Sequence, residues 1–200
     1  MKGYDMADNL IKIGLYGTPG AGKSTTLQIM REICLGQGIP VARIKLADPL
    51  YEAQAAIYKI AGQALSDFYD QDGELLNFLG HYLRKLNPRV LLDRFSLRVE
   101  ETSQRLRAEH TVPCIIVCDD LRRADSDHVR SHGFRLGRVV ADAASCVRRR
   151  EVRGDRSLGS ASHVTEQGLD EIVPDFVVEN NSSLEELREM VKRVLEEWLR

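Results

Sequence analysis

The chain has 200 residues, 43% hydrophobic and 29% charged, with 28 basic against 30 acidic side chains and a formal net charge of −2. That length suits one domain carrying an insertion, and the charge balance argues against a protein whose main work is coating DNA or RNA. The opening MKGYDMADN holds acids and no apolar run, and no stretch reaches the ~20 apolar residues of a membrane span, so neither leader nor membrane segment is expected. A cytoplasmic protein with four reduced cysteines is the expectation.

Residues 10–16 (LIKIGLY) predict a buried strand, followed by a glycine-rich loop and a helix over 23–35 that Gly36 and Gly38 stop. Residues 39–46 (IPVARIKL) predict a second strand. Asp48-Pro49 then opens a helix, with Asp48 as its cap. The pattern from 50 to 109 is helical, interrupted near 70–73 and 87–88. Residues 113–118 (PCIIVC) form a continuous apolar run, the mark of an internal strand of a parallel sheet. Further strands are expected at 134–141 and 175–179. An amphipathic closing helix follows at 184–199, capped by Ser182 or Ser183. Strands alternating with helices give an α/β fold: a three-layer sandwich with a five-stranded parallel sheet and helices on both faces. The core is expected at 9–47, 110–142 and 174–200, a helical insert at about 48–109, and a basic, then Gly/Ser-rich, lid at about 143–173.

Cys114 and Cys118, followed by His128 and His132, superficially match a zinc spacing. The cysteines alternate with Ile116 in an apolar strand, so a shared buried face is the better reading, with the histidines solvated on a polar helix.

The chemistry is carried by Gly17-Thr18-Pro19-Gly20-Ala21-Gly22-Lys23-Ser24, which fits the P-loop pattern between a strand and a helix, so the expected sandwich is of the P-loop NTPase type. Glycines let the backbone wrap a phosphate, and the helix N-terminus adds its dipole. The expected phosphate-binding residues are Gly17, Pro19, Gly20, Ala21, Gly22, Lys23, Ser24 and Thr25. Lys23 reaches the β- and γ-phosphates, and the Ser24 hydroxyl serves Mg²⁺. Asp119 follows the 113–118 strand, where a metal-linked acid would sit. Asp119 and Asp120 capping the next helix is the plainer alternative.

No N-K-x-D guanine motif is present, and the chain is short for a motor or transporter ATPase, which leaves a small kinase. Such an enzyme needs cations around crowded phosphates. Arg84, Arg122, Arg123 and the cluster Arg148, Arg149, Arg150, Arg153 and Arg156 are candidates, the cluster as a lid that closes over ATP.

Several segments together carry a family likeness: GTPGAGKST, LADPLYEA, LGHYLRKLNP, IIVCDDLRRADSDHVRSHGFRLGRVV, HVTEQGLDE and DFVVENNSSLEEL. In their order they resemble the phage-type deoxynucleoside monophosphate kinases, a branch of the P-loop nucleoside monophosphate kinases. The resemblance implies that Lys45 and Asp48 border the acceptor pocket and that Arg84 meets the acceptor phosphate. It makes Asp120 and Arg122 an aspartate–x–arginine unit that orients the acceptor and bridges phosphates. Arg149 and Arg153 become lid arginines, Asn180 lies near adenine, and His163 and Glu166 form a histidine–x–x–glutamate element. The chain departs from the family in lacking a tryptophan after Pro88; its one tryptophan is Trp198.

The expected reaction moves the γ-phosphoryl group of ATP, with Mg²⁺, to a (deoxy)nucleoside monophosphate or similar nucleotide, giving the diphosphate. Lys23, Arg122, Arg149 and Arg153 are the catalytic candidates, and Ser24 and Asp119 the metal-linked pair. A hydroxyl kinase acting on a nucleoside, sugar or antibiotic, with Asp48 as base, is the first alternative. A nucleotide-gated binding module without phosphotransfer is the second. The expected partners are ATP and a small phosphorylated acceptor, with no nucleic-acid polymer and no membrane. Oligomeric state is left open, a homodimer included.

Overall fold

The structure, a computed structural model, describes residues 9–153 and 168–199. Its elements run β1 (Leu10–Tyr16), α1 (Lys23–Gly36), β2 (Val41–Ile44), α2 (Asp48–Ile60), α3 (Gly73–Leu86), α4 (Val90–Glu109) and β3 (Cys114–Cys118). A 3₁₀ turn (Arg123–Asp125) leads to α5 (Ser126–Ser131), then β4 (Arg135–Val140), α6 (Ala143–Arg153), a second 3₁₀ turn (Leu169–Glu171), β5 (Phe176–Glu179) and α7 (Leu184–Trp198). No helix among the described residues is long and apolar enough to cross a membrane.

The five strands form one parallel sheet in the order β2-β3-β1-β4-β5. Strand periodicity of two splits the side chains into two cores. Tyr16, Cys114, Ile116, Cys118 and Leu136 face Phe95, Val99 and Leu106 of α4 and Val129 of α5. Ile13, Leu15, Ile115, Val117 and Val139 face α1 (Leu27, Met30, Cys34) and α7 (Leu187, Val191, Leu195). The two strand cysteines therefore share one buried face, as their alternation requires. Trp198 belongs to the second core and packs edge-on against Phe176, ring centres 4.7 Å apart.

Four expectations are corrected. The second strand is shorter than 39–46, because Lys45 N–H leaves the ladder to donate to Asp48 Oδ2 (3.0 Å) and Ile39 N–H still serves the end of α1 through Cys34 O (2.9 Å). Asp48 is not the cap of α2 but its first residue, reaching back across the turn; Ala47 stands at the cap position. The helical insert breaks over 61–72 rather than 70–73. Gly62, with φ 69°, turns the chain out of α2, and the Asp70 carboxylate holds the loop by accepting Ser66 N–H (2.8 Å) and Asp67 N–H (3.0 Å). His128 and His132 are half-buried rather than solvated, each with Nε2 2.9 Å from Ser96 Oγ of α4. The closing helix is capped by Ser183, whose hydroxyl accepts Glu186 N–H at 3.2 Å.

Candidate active site

Because β1 is the middle strand, the loop that follows it emerges at the centre of the sheet's carboxyl edge, where open α/β sheets bind ligands. Its glycines are required by what surrounds them. Gly17 has φ 147°, and a Cβ there would lie 2.2 Å from the Val139 carbonyl of β4; Gly22 has φ 104°, and its Cβ would lie 2.2 Å from Asn180 Nδ2. Gly22 is the cap residue of α1 and brings no side-chain oxygen to the first helical N–H groups, which leaves that positive helix end for an anion. Lys23 Nζ folds back over the loop, donating to Gly17 O (2.7 Å) and Thr18 O (3.3 Å).

β1 and β3 pair Gly14 with Cys118, so the residues after β3 lie beside the loop. Alternation separates the two aspartates. Asp119 continues the α1 side of the sheet, where its Oδ2 is 3.5 Å from Ser24 Oγ. Asp120 continues the α4 side, and its oxygens accept Leu46 N–H (3.0 Å) and Ala47 N–H (2.9 Å), fixing the turn between β2 and α2. Burial raises the Asp120 pKa, with Lys45 opposing and Asp119 adding. Neither aspartate caps a helix; the following 3₁₀ turn has Arg122 at its cap position. A serine hydroxyl facing a carboxylate is a hard-oxygen donor pair of the kind Mg²⁺ prefers, so Ser24 and Asp119 fit that ion.

The expected acceptor residues lie in one neighbourhood. Lys45 is buried, its Nζ 5.3 Å from the Tyr51 ring centre and 4.8 Å from that of Tyr69. Asp48 Oδ1 accepts the Tyr69 hydroxyl at 3.0 Å. Arg122 is shielded enough that burial lowers its pKa; Asp120 and Asp125 oppose that shift and Arg84 adds to it. Arg84 is exposed, its Nη1 donating to Gly80 O at 3.1 Å, and it is the largest influence opposing the burial that raises Asp125's pKa. Beside this cluster a cleft of about 60 Å³ opens between α2 and α4, floored by Lys45, Asp48 and Glu52 and walled by Arg94 and Arg98.

On the other side of the loop, Arg149 of α6 donates from Nη2 to Asn180 O (2.9 Å) and Oδ1 (3.3 Å), and from Nη1 to Gly20 O (3.5 Å). Asn180 is buried and its Nδ2 donates to Ala21 O at 2.8 Å. Both side chains thus brace the loop. Thr25 is exposed in the first turn of α1. Arg153 ends α6, and its side chain lies outside what the structure describes, as do Arg156, His163 and Glu166. Sequence reasoning missed Arg43 and Tyr69. Arg43 donates from Nε to Asp119 Oδ1 (2.9 Å) and from Nη2 to Oδ2 (2.6 Å), and its guanidinium carbon lies 4.9 Å from the Tyr69 ring centre. The available signal was a lone arginine near the end of an apolar strand, two residues before Lys45 and so on the same face.

No protein-family model matches the chain, and no curated protein matches it in sequence. Among solved structures, the APS kinase CysC of Mycobacterium tuberculosis, in complex with AMPPNP and APS, has a TM-score of 0.55 and 12% identity, covering 93% of this chain and 97% of that one. TT1252 from Thermus thermophilus has a TM-score of 0.51 and 22% identity, covering 95% and 98%. The chain therefore has the α/β fold of the P-loop kinases, a five-stranded parallel sheet covered by helices.

Proposed function

We propose that this protein is an ATP-dependent phosphotransferase that passes the γ-phosphoryl group to a (deoxy)nucleoside monophosphate or similar nucleotide, giving the diphosphate. The observation that carries the reading is the meeting of Ser24 Oγ and Asp119 Oδ2, 3.5 Å apart, beside the loop that bears Lys23. Gly17, Gly20, Ala21, Gly22 and Thr25 cradle the phosphates with backbone and helix-end N–H groups, Pro19, which has no N–H, shapes the loop between them, and Lys23 follows the β- and γ-phosphates. Ser24 and Asp119 would hold Mg²⁺, which would supply charge neutralisation at the phosphates. Arg122, Arg149 and Arg153 are the cations around the transferred group, Arg153 as a lid residue, and Asn180 lies near adenine while bracing the loop.

On the acceptor side, Lys45, Asp48, Arg84, Asp120 and Arg122 form the pocket. Asp120 works by holding the β2–α2 turn, which aims Lys45 and Asp48. An acceptor phosphate is already a competent nucleophile near neutral pH, so orientation and charge stabilisation carry the catalysis. The likeness to the phage-type deoxynucleoside monophosphate kinases supports a nucleotide acceptor.

A second reading rests on Asp48, whose carboxylate already accepts a hydroxyl, that of Tyr69. It makes the protein a hydroxyl kinase with Asp48 as general base. One experiment separates the two: ATP·Mg²⁺ with a panel of nucleoside monophosphates, nucleosides and sugars, followed by mass analysis of products. A nucleoside diphosphate made only from a monophosphate supports the first reading. Phosphorylation confined to hydroxyl acceptors replaces it with the second, and ADP release that no acceptor stimulates removes both.

A further inference from the structure

Asp119 is asked to do two things at once. Its carboxylate faces Ser24 on the metal side, yet both its oxygens are already held by one guanidinium: Arg43 Nε on Oδ1 at 2.9 Å and Nη2 on Oδ2 at 2.6 Å. The Asp119 side chain is buried, 2% exposed, and the Arg43 side chain is half-buried, 19% exposed. A planar two-point guanidinium–carboxylate contact is the strongest form of this interaction, and here water screens it only in part, from the Arg43 side. Oδ2, the oxygen 3.5 Å from Ser24 Oγ, is the one with the shorter arginine contact.

Arg43 is itself held from the acceptor side. Its guanidinium lies over the Tyr69 ring, whose other cationic neighbour is Lys45 and whose hydroxyl is bonded to Asp48. Tyr69 comes from the 61–72 segment of the helical insert, so the contact on Asp119 is continuous with the acceptor cluster.

We propose that Arg43 is a latch on Asp119: a built-in cation that occupies the carboxylate in the resting protein and must yield, wholly or at Oδ2, when a divalent ion is taken up beside Ser24. The proposal rests on the reading of Ser24 and Asp119 as the metal-linked pair. It makes Arg43 a positioning residue that sets how readily metal is bound. The contrary role is that Arg43 merely holds Asp119 in the orientation that metal uptake needs, and the two roles have opposite signs.

The test is Mn²⁺ uptake, with ADP present, followed by the loss of the free-ion EPR signal in wild type, Arg43→Gln and Arg43→Lys. Glutamine removes the cation; lysine keeps a charge but loses the two-point contact. The latch requires Arg43→Gln to bind Mn²⁺ about tenfold tighter than wild type, a Coulomb gain discounted for partial solvent screening, with Arg43→Lys between them. Without metal, Arg43→Gln melts lower than wild type, since Asp119 loses its partner; Mn²⁺·ADP then raises its melting temperature by more than it raises the wild type's. If Arg43→Gln folds too poorly to measure, the sign of the Arg43→Lys change decides. Affinity that falls or stays level in the variants overturns the latch while leaving the metal-linked pair intact. Absence of Mn²⁺·ADP uptake by wild type and variants alike overturns the functional reading and the latch with it.

Discussion

Asn180 Nδ2 donates to the Ala21 carbonyl at 2.8 Å, and this single bond ties the segment after β5 to the loop after β1. Asn180 is buried, so its removal strands the Ala21 carbonyl and loosens the Arg149 head that rests on the same residue. Asn180→Ala is expected to cost about 1–3 kcal/mol of stability, the usual penalty for an orphaned buried polar group, and to weaken nucleotide binding. Denaturant unfolding and ADP titration check both, and a variant unchanged in each denies Asn180 its bracing role.

Gly22→Ala is expected to be more damaging than its size suggests. The added carbon lies 2.2 Å from Asn180 Nδ2 at a φ of 104°, so backbone strain and a broken brace come together. A lower melting temperature and loss of ADP binding are the expected readouts. By contrast, Gly36 has open space around its Cβ position and tolerates alanine.

Lys23 is half-buried and its Nζ donates to the loop carbonyls of Gly17 and Thr18, so Lys23→Ala should leave the fold standing while abolishing turnover. Thermal melting and ADP release measure the two halves. Arg84 is exposed at the edge of the acceptor cluster, and Arg84→Ala should mainly raise the acceptor KM; an unchanged KM removes it from the pocket.

Stability should depend on His132. Burial lowers its pKa, and His128 and Lys12 push the same way, with only Glu100 opposing. The folded protein therefore favours the neutral ring and the unfolded chain binds the proton more readily. The contribution is fully present above the unfolded value of about 6.5 and is lost as pH falls through the depressed folded value. His132→Asn should flatten the pH dependence of the melting temperature on that acid side. A slope as steep as wild type's assigns it to other groups.

The buried thiols give a further check. Burial alone pushes Cys34 up to about 11, so almost none of it is thiolate near neutral pH. Native protein should react slowly with iodoacetamide at all four cysteines, which are buried, and quickly once denatured.

What could be read from the sequence was what is local. The strand, glycine loop and helix around residues 10–36 follow from periodicity and backbone chemistry within one stretch of chain, and the observed bounds fall within a residue of those expected. The run CIIVC gave its internal position because burial on both faces leaves no polar alternation. The boundaries that slipped were set by side chains reaching across turns, as with Asp48 onto Lys45 N–H. Arg43 and Tyr69 were not legible as site residues, because their positions depend on the β2–β3 register and on a loop folding back over the sheet edge. Asp119 and Asp120 are indistinguishable as neighbours in a sequence; only the pleat sends one to Ser24 and the other to the β2–α2 turn.

The most direct measurement is calorimetric titration of the wild-type protein with ATP, with and without Mg²⁺. The expected result is one site per chain, strengthened by Mg²⁺ and lost in Lys23→Ala. Heat-silent titrations in both conditions, or equal binding by wild type and Lys23→Ala, would contradict the proposal that the loop after β1 grips a nucleotide polyphosphate.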